Sequence, residues 1–442
     1  MVPTGRGSFQ VSEADAATDW LQCDLFVSSA TPVGALVVLA CLRPVPEGTR
    51  AKERLMHSNF RRASVAVAAV ASMALTGLAV SPAQASNDGQ RFTRDTSTRT
   101  FDRADASLVS SAAVTVGRLA GSDRIDTAIQ TSNALWDDAT APDGNKANAI
   151  ILSRSDEYAD ALGGSALAGA AGGPLLLTRS ARLDTSVEAE IRRVLAKPGL
   201  VYLLGGTGAL SSTVESRLTG LGYTVKRLEG ADRFATSVAV AQEVSAYLPP
   251  DGVPQFVMVT TGLDFPDGLA AGATAGGYHG AVVLTKGSTI PYVVDGYLNH
   301  IRSLGQQYSK HVPFFAVGGQ AAAARYTWDD TYVGQDRFDT AAMVAKDFWG
   351  DPSTPNDDPA AIGLATGMDW PDALAGGAFM AGGGPLVLSK TDSLPATTSS
   401  AIKTLVASGN PSPVQLGVIF GGVAVVGATA ESQFTTLLNP TP

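Results

Sequence analysis

The 442-residue sequence is 45% hydrophobic and only 17% charged, enough apolar material for real cores, which excludes disorder along its whole length. Its formal net charge of −9 and pI near 5.0 argue against a nucleic-acid partner, which needs a basic face to neutralise phosphates. Cys23 and Cys41 are the only cysteines, so neither a disulfide framework nor a thiolate metal cluster can be built from the rest of the chain.

The first recognisable element begins at Met56. Arg61 and Arg62 form a basic region, residues 63–80 an apolar one, and Ala83-Gln84-Ala85 a small-residue cleavage site, so residues 56–85 are predicted to be a secretory signal peptide. Residues 1–55 then read as an upstream extension from a start codon assigned too early. A second apolar run, Leu25 to Leu42, contains Pro32 and has only Arg6 as an upstream base, a poor orientation signal for a membrane helix. Cleavage after Ala85 removes seven basic and six acidic residues from 32 and 41. It leaves 25 and 35, a net of −10, with no cysteine and no stable transmembrane anchor. A cysteine-free chain suits export into an oxidising compartment. Residues 86–116, rich in Ser, Thr, Asp and Arg, read as a flexible spacer.

From residue 117 four blocks recur three times in one order. They are RLAGSDRIDTA (118–128), RLEGADRFATS (227–237) and TYVGQDRFDTA (331–341); then EYADALGGSALAG (157–169), DFPDGLAAGATAG (264–276) and DWPDALAGGAFMA (369–381). PLLLT (174–178), AVVLT (281–285) and PLVLS (385–389) follow, and then VYLLGGTGAL (201–210), FFAVGGQAAA (314–323) and VIFGGVAVV (418–426). The chain therefore divides into three homologous modules, 117–226, 227–330 and 331–442. In the first, the spacing predicts a helix from Asp123 to Trp136 and a strand at AIILS. A Gly/Ala-rich helix follows from near Asp160, then strand LLLT, a helix over Ser186–Leu195, strand VYLLGG, a helix over Ser211–Leu221 and strand YTVKRL. Apolar strands alternating with helices imply an α/β sandwich on a parallel sheet.

These four blocks in triplicate resemble the cell wall binding repeat 2 family over residues 118 to about 426. The resemblance implies an exported Gram-positive surface protein with three Toprim-like modules around a pseudo-threefold axis. It also implies non-covalent binding of an anionic cell-wall polymer; separately, no cofactor or resident metal is expected from the residues. The third copy departs from the pattern: Thr331 stands where Arg118 and Arg227 stand in the others, and no extended strand is expected before it. If that arginine touches ligand, the third module is weakened; if it pairs with a neighbouring module, one seam differs.

The repeated residues have chemistry of their own. Asp123, Asp232 and Asp336 are helix N-caps by position, and the adjoining Arg124, Arg233 and Arg337 can pair with a carboxylate across modules or clamp a phosphate. Asp160, Asp267 and Asp372 also look like N-caps. With Glu157, Asp264 and Asp369 three residues upstream they could bridge a cation or act as acid and base, but no repeated His, Cys, Ser or Lys accompanies them. Tyr158, Phe265 and Trp370 suit either a sugar-stacking face or an interface plug. The double glycines at 205, 318 and 421 read as tight turns or anion-cradling N–H groups. No G-K-[ST] follows them, which excludes a nucleotide P-loop. His279, His300 and His311 recur nowhere, so neither a zinc site nor a catalytic triad is supported. The reading is a non-catalytic wall-binding protein; the rivals are a self-associating surface coat and a wall-active hydrolase.

Overall fold

In a computed structural model, residues 113–142, 144–248, 251–350, 359–408 and 414–440 are described. The signal peptide, the upstream extension and both cysteines lie outside them. Three four-stranded sheets, all parallel, carry the architecture, each flanked by helices. Among the described residues no helix is long and apolar enough to cross a membrane.

The chain opens with β1 (Thr115–Leu119), α1 (Arg124–Leu135) and β2 (Ala149–Arg154). After a short 3-10 turn at Ala159–Ala161 come α2 (Gly164–Ala171), β3 (Leu175–Thr178), α3 (Thr185–Val194), β4 (Leu200–Leu204), α4 (Ser212–Gly220) and β5 (Thr224–Leu228). The second repeat supplies α5 (Arg233–Ala246), β6 (Val257–Thr261), α6 (Pro266–Gly277), β7 (Ala281–Thr285), α7 (Tyr292–Gln307), β8 (Phe314–Val317), the four-residue α8 (Gly319–Ala322) and β9 (Asp330–Tyr332). The third supplies α9 (Arg337–Trp349), β10 (Ala361–Thr366), α10 (Pro371–Met380), β11 (Leu386–Ser389), α11 (Ala396–Ser408), β12 (Leu416–Phe420) and α12 (Ala428–Leu438). The helices and strands expected in the first repeat therefore stand within a few residues of their expected limits.

The central strands are apolar on both faces: Ile150, Ile151 and Leu152 of β2 are fully buried, as are Val257, Met258 and Val259 of β6. That is the pattern of a parallel sheet covered on two sides. The sheet orders are β3-β2-β4-β5, β7-β6-β8-β9 and β11-β10-β12-β1. The strand that opens each G-x-D-R motif thus completes the preceding sheet, and β1 completes the last one by pairing with β12 from Thr115–Leu416 to Leu119–Phe420. β1 begins inside the stretch read as spacer, and Asn439 holds it: the Asn439 Oδ1 accepts from Val114 N at 2.6 Å, and its Nδ2 donates to Val114 O at 3.0 Å. The absence of a strand before the third motif is corrected: β9 is there, three residues long, because Thr331 and Tyr332 still pair with Ala316 and Val317 of β8.

α2, α6 and α10 pack on one another at the centre, where the Gly/Ala-rich blocks let backbones touch. A Cβ on Gly169 would strike the carbonyl oxygen of Gly276 and come within 2.6 Å of its Cα. One on Gly276 would lie 2.6 Å from Ala381 Cβ. The hydroxyl of Ser165 crosses the same core to donate to Leu374 O at 3.1 Å. Three equivalent helices meeting this way define the pseudo-threefold axis.

Candidate functional site

Asp123, Asp232 and Asp336 are the N-caps of α1, α5 and α9. Each is extended and accepts from the two backbone N–H groups at the second and third positions beyond it. The threonines four residues later close the same loop from inside, each accepting from the motif glycine: Gly121 N to Thr127, Gly230 N to Thr236 and Gly334 N to Thr340.

The adjoining arginines tie the repeats together cyclically. Arg124 donates to Ser155 O at 3.0 Å, pairs with Asp369 at 3.3 Å and lies 5.3 Å over the Trp370 ring. Arg337 repeats this with Gly367 O at 2.8 Å, Asp264 at 3.5 Å and Phe265 at 5.5 Å. Arg233 donates to Gly262 O at 2.8 Å and lies 6.0 Å over Tyr158. Each motif thus caps the aromatic of the repeat before it, and the first caps the third. The aromatics also meet each other, with Tyr158 centred 5.6 Å from Phe265 and 6.3 Å from Trp370. Trp370 is 6% exposed and the other two are half-buried, so the three rings form one cluster where the repeats meet.

Asp160, Asp267 and Asp372 are not N-caps, contrary to the expectation from position. Phe265 and Trp370 occupy the caps of α6 and α10, because Pro266 and Pro371 take the first helical position and leave the aspartates two places beyond the cap; Asp160 lies in the 3-10 turn before α2. Each carboxylate instead faces the first glycine of a double-glycine turn: Asp160 meets Gly205, Asp267 meets Gly318 and Asp372 meets Gly421. These glycines have φ of 90°, 90° and 101°, where a side chain is strained and would strike the carboxylate. Their N–H groups are committed to Leu228 O, Tyr332 O and Leu119 O. The turns follow β4, β8 and β12, and the aspartates follow β2, β6 and β10. In each sheet these are the two strands at which the order reverses, the place where open parallel sheets hold ligands at their carboxyl ends.

Burial pushes all three carboxyls upward. Asp160 and Asp372 are raised by desolvation against the pull of Thr236 or Thr127 and an arginine. Asp267, raised by burial and then by Asp264, reaches about 6. A raised folded-state value means that the neutral acid favours the fold. That contribution is complete below the ordinary 3.8 and disappears as pH rises through about 6. Asp267→Asn should therefore raise the melting temperature at pH 7, by the equivalent of about 1–3 kcal/mol, and flatten its pH dependence between 4 and 6. Thermal melts across that range check this; a lower melting temperature at pH 7 with an unchanged slope would refute it.

Arg118 and Arg227 brace the same turns. Arg118 donates to Gly421 O at 2.6 Å, Val426 O at 2.9 Å and Glu431 at 2.9 Å; Arg227 donates to Gly205 O at 2.9 Å and Glu215 at 2.8 Å. At the middle sheet Thr331 replaces the arginine. The helix that would bring the matching glutamate is there cut to the four residues of α8, so brace and counter-ion are lost together.

One repeated feature escaped the sequence reading. The residue directly after β3, β7 and β11 is always basic: Arg179, Lys286 and Lys390. The PLLLT-type block, read one residue further, contains it.

The family model described as "Cell wall binding domain 2 (CWB2)" matches residues 118–215, 227–325 and 332–431, more than half of the chain. The protein belongs to this family. Two curated relatives come from Bacillus subtilis (strain 168). An amidase enhancer is 30% identical over 174 residues, 39% of this chain and 22% of that protein. The N-acetylmuramoyl-L-alanine amidase LytC is 33% identical over 131 residues, 30% of this chain and 24% of that protein. The chain thus spans about a quarter of the length of these relatives. Among solved structures, Cwp8 from Clostridium difficile superposes with a TM-score of 0.61 at 23% identity, covering 74% of this chain and 52% of that one. Cwp6 from the same organism gives 0.60 at 19%, covering 75% and 49%. At these identities the likeness is one of fold.

Proposed function

We propose that the protein is a non-catalytic attachment module that reaches the surface of a Gram-positive cell and holds an anionic secondary polymer of its wall. The observation that carries this reading is the threefold repetition of one carboxyl-end switch point, with its aspartate and glycine turn, around a single axis in a chain of the CWB2 family. A polymer presents the same unit many times, and three crevices held at fixed spacing convert weak single contacts into strong retention. The gain over one site is of order 10²–10⁴-fold. The candidate residues divide the work: Arg124, Arg233, Arg337 and the three aromatics lock the repeats in register, while Asp160, Asp267, Asp372 and the glycine turns shape the crevice floors. The short matches to an amidase and an amidase enhancer motivate the rival enzyme reading.

Sedimentation of the secreted chain with walls of the bacterium that makes it, before and after cold hydrofluoric acid has removed phosphodiester-linked polymers or carbodiimide amidation has neutralised carboxylates, tests the proposal. Binding to intact walls and release by one of the treatments is expected. Retention on walls lacking both kinds of anion would overturn the polymer reading, and clearing of walls in a zymogram would favour the hydrolase.

A further inference from the structure

The three crevices are not equivalent at their rims. In the first repeat Arg179 is already neutralised: Asp184, six residues beyond the end of β3, pairs with its guanidinium at 2.5 Å and accepts its backbone N–H at 2.9 Å. At the same offset from β7 and β11 stand Pro291 and Pro395. Lys286 and Lys390 are exposed, as the Arg179 side chain also is, but neither pairs with a carboxylate among the described residues. Their backbones are nonetheless fixed by tight turns, Lys286 N donating to Thr289 O at 2.8 Å and Lys390 N to Ser393 O at 3.1 Å.

The neighbouring loop changes in step. Between the end of β2 and Glu157 the first repeat carries Asp156, paired with Arg154 and held at about 2 by it. The other two carry large apolar residues at that place, Leu263, 52% exposed, and Met368, 60% exposed. Gly262 N donates to Thr285 O and Gly367 N to Ser389 O, both at 2.8 Å, so each apolar residue sits beside its lysine turn. The two loops are joined across the seam by Arg337, which holds Gly367 O and Asp264 together. The Leu263 loop with its Lys286 turn and the Met368 loop with its Lys390 turn are thereby neighbours across the seam between the second and third repeats, a strip that carries two apolar and two basic residues. The acids beside it, Asp264 and Asp369, are paired with Arg337 and Arg124.

We propose that this strip is the principal grip on ligand, which rests on the attachment function proposed above. Lys286 and Lys390 bind two anionic groups of one polymer strand, phosphodiester or uronate, and Leu263 and Met368 receive the C–H faces of the sugars between them. A cation next to an apolar contact is the complement of a charged saccharide, and an acidic chain needs such a local patch to hold an anion. The first repeat, with its internal ion pairs, contributes geometry rather than grip.

The test compares the whole secreted chain with Lys286→Gln/Lys390→Gln, Leu263→Ser/Met368→Ser and Arg179→Gln on the same isolated walls. Retention of the lysine pair variant should fall at least about tenfold, the loss of one or more charge-assisted contacts, with an unchanged melting temperature because both side chains are exposed. Lys286→Arg/Lys390→Arg should restore it, the apolar pair variant should also weaken, and Arg179→Gln should bind as the parent does. The identity of the anion follows from which treatment, hydrofluoric acid or carbodiimide, abolishes parental binding. Full retention of the lysine pair variant on walls that hold the parent would overturn the strip alone. Equal weakening by Arg179→Gln, the mark of nonspecific charge, would also overturn it. A parent that ignores untreated walls would overturn the attachment function with it.

Discussion

A chain that begins at Ala120 should lose most of its stability although it keeps three-quarters of the described strands of its last sheet. β1 contributes five register pairs to β12, the partly buried Val116 and Leu119, and the Arg118 contacts to Gly421, Val426 and Glu431. At about 1 kcal/mol per backbone hydrogen bond the strand is worth roughly 5 kcal/mol before its side chains are counted. The melting temperature should drop by about 10–20 °C, with the bared β12 edge prone to association. Moving residues 113–119 to follow Asn439 through a short flexible linker should restore the parental melt, because the two ends already touch. Calorimetry of both forms decides this. Parental stability in the truncated chain would mean that the ring does not need its closing strand.

Gly169→Ala should be nearly as damaging, although it adds one carbon. The new Cβ would meet the backbone of Gly276, and a backbone inside a packed helix cannot turn aside as a side chain can. Overpacking of this kind costs about 1–3 kcal/mol, and here the upper end or beyond is expected because two of the three axial helices must separate. Gly208→Ala, where nothing lies within 4 Å of the added carbon, is the matched control and should leave the melting temperature unchanged. Equal effects of the two substitutions, read by thermal melts, would show that the axial contact is looser than the geometry states.

Much of this architecture was legible in the sequence because the physics behind it is local. Apolar runs such as AIILS and LLLT, short and bounded by turn residues, suit doubly covered strands, and Asp123, Asp232 and Asp336 cap the apolar helical runs they precede. What escaped depends on residues far apart in the chain. That β1 belongs with β12 follows from closure around the axis, and the five-residue TVGRL carries no mark of its partner. The exception is Asp267 and Asp372, which resembled caps although their chain neighbours Pro266 and Pro371 already mark the first helical turn in the sequence. The ambiguity of Tyr158, Phe265 and Trp370 between stacking face and plug is a matter of what surrounds them, and only the meeting of three repeats supplies that. The Arg179, Lys286 and Lys390 series was visible all along; its meaning came from Asp184 being replaced by Pro291 and Pro395, a comparison that requires the strand ends to be aligned in space.

The closing strand also sets how the molecule would bear a load. Because every strand in a sheet runs the same way, the crevices lie at one end of the sheets, while Val114 and Asn439 meet at the other, about 17 Å away along a five-residue strand. A tension applied at Val114 while polymer holds the crevices runs along β1 rather than across it. Its hydrogen bonds to β12 are then pulled in shear, all together, instead of being opened one at a time, and the Arg118 fork at the far end of the strand resists the same displacement.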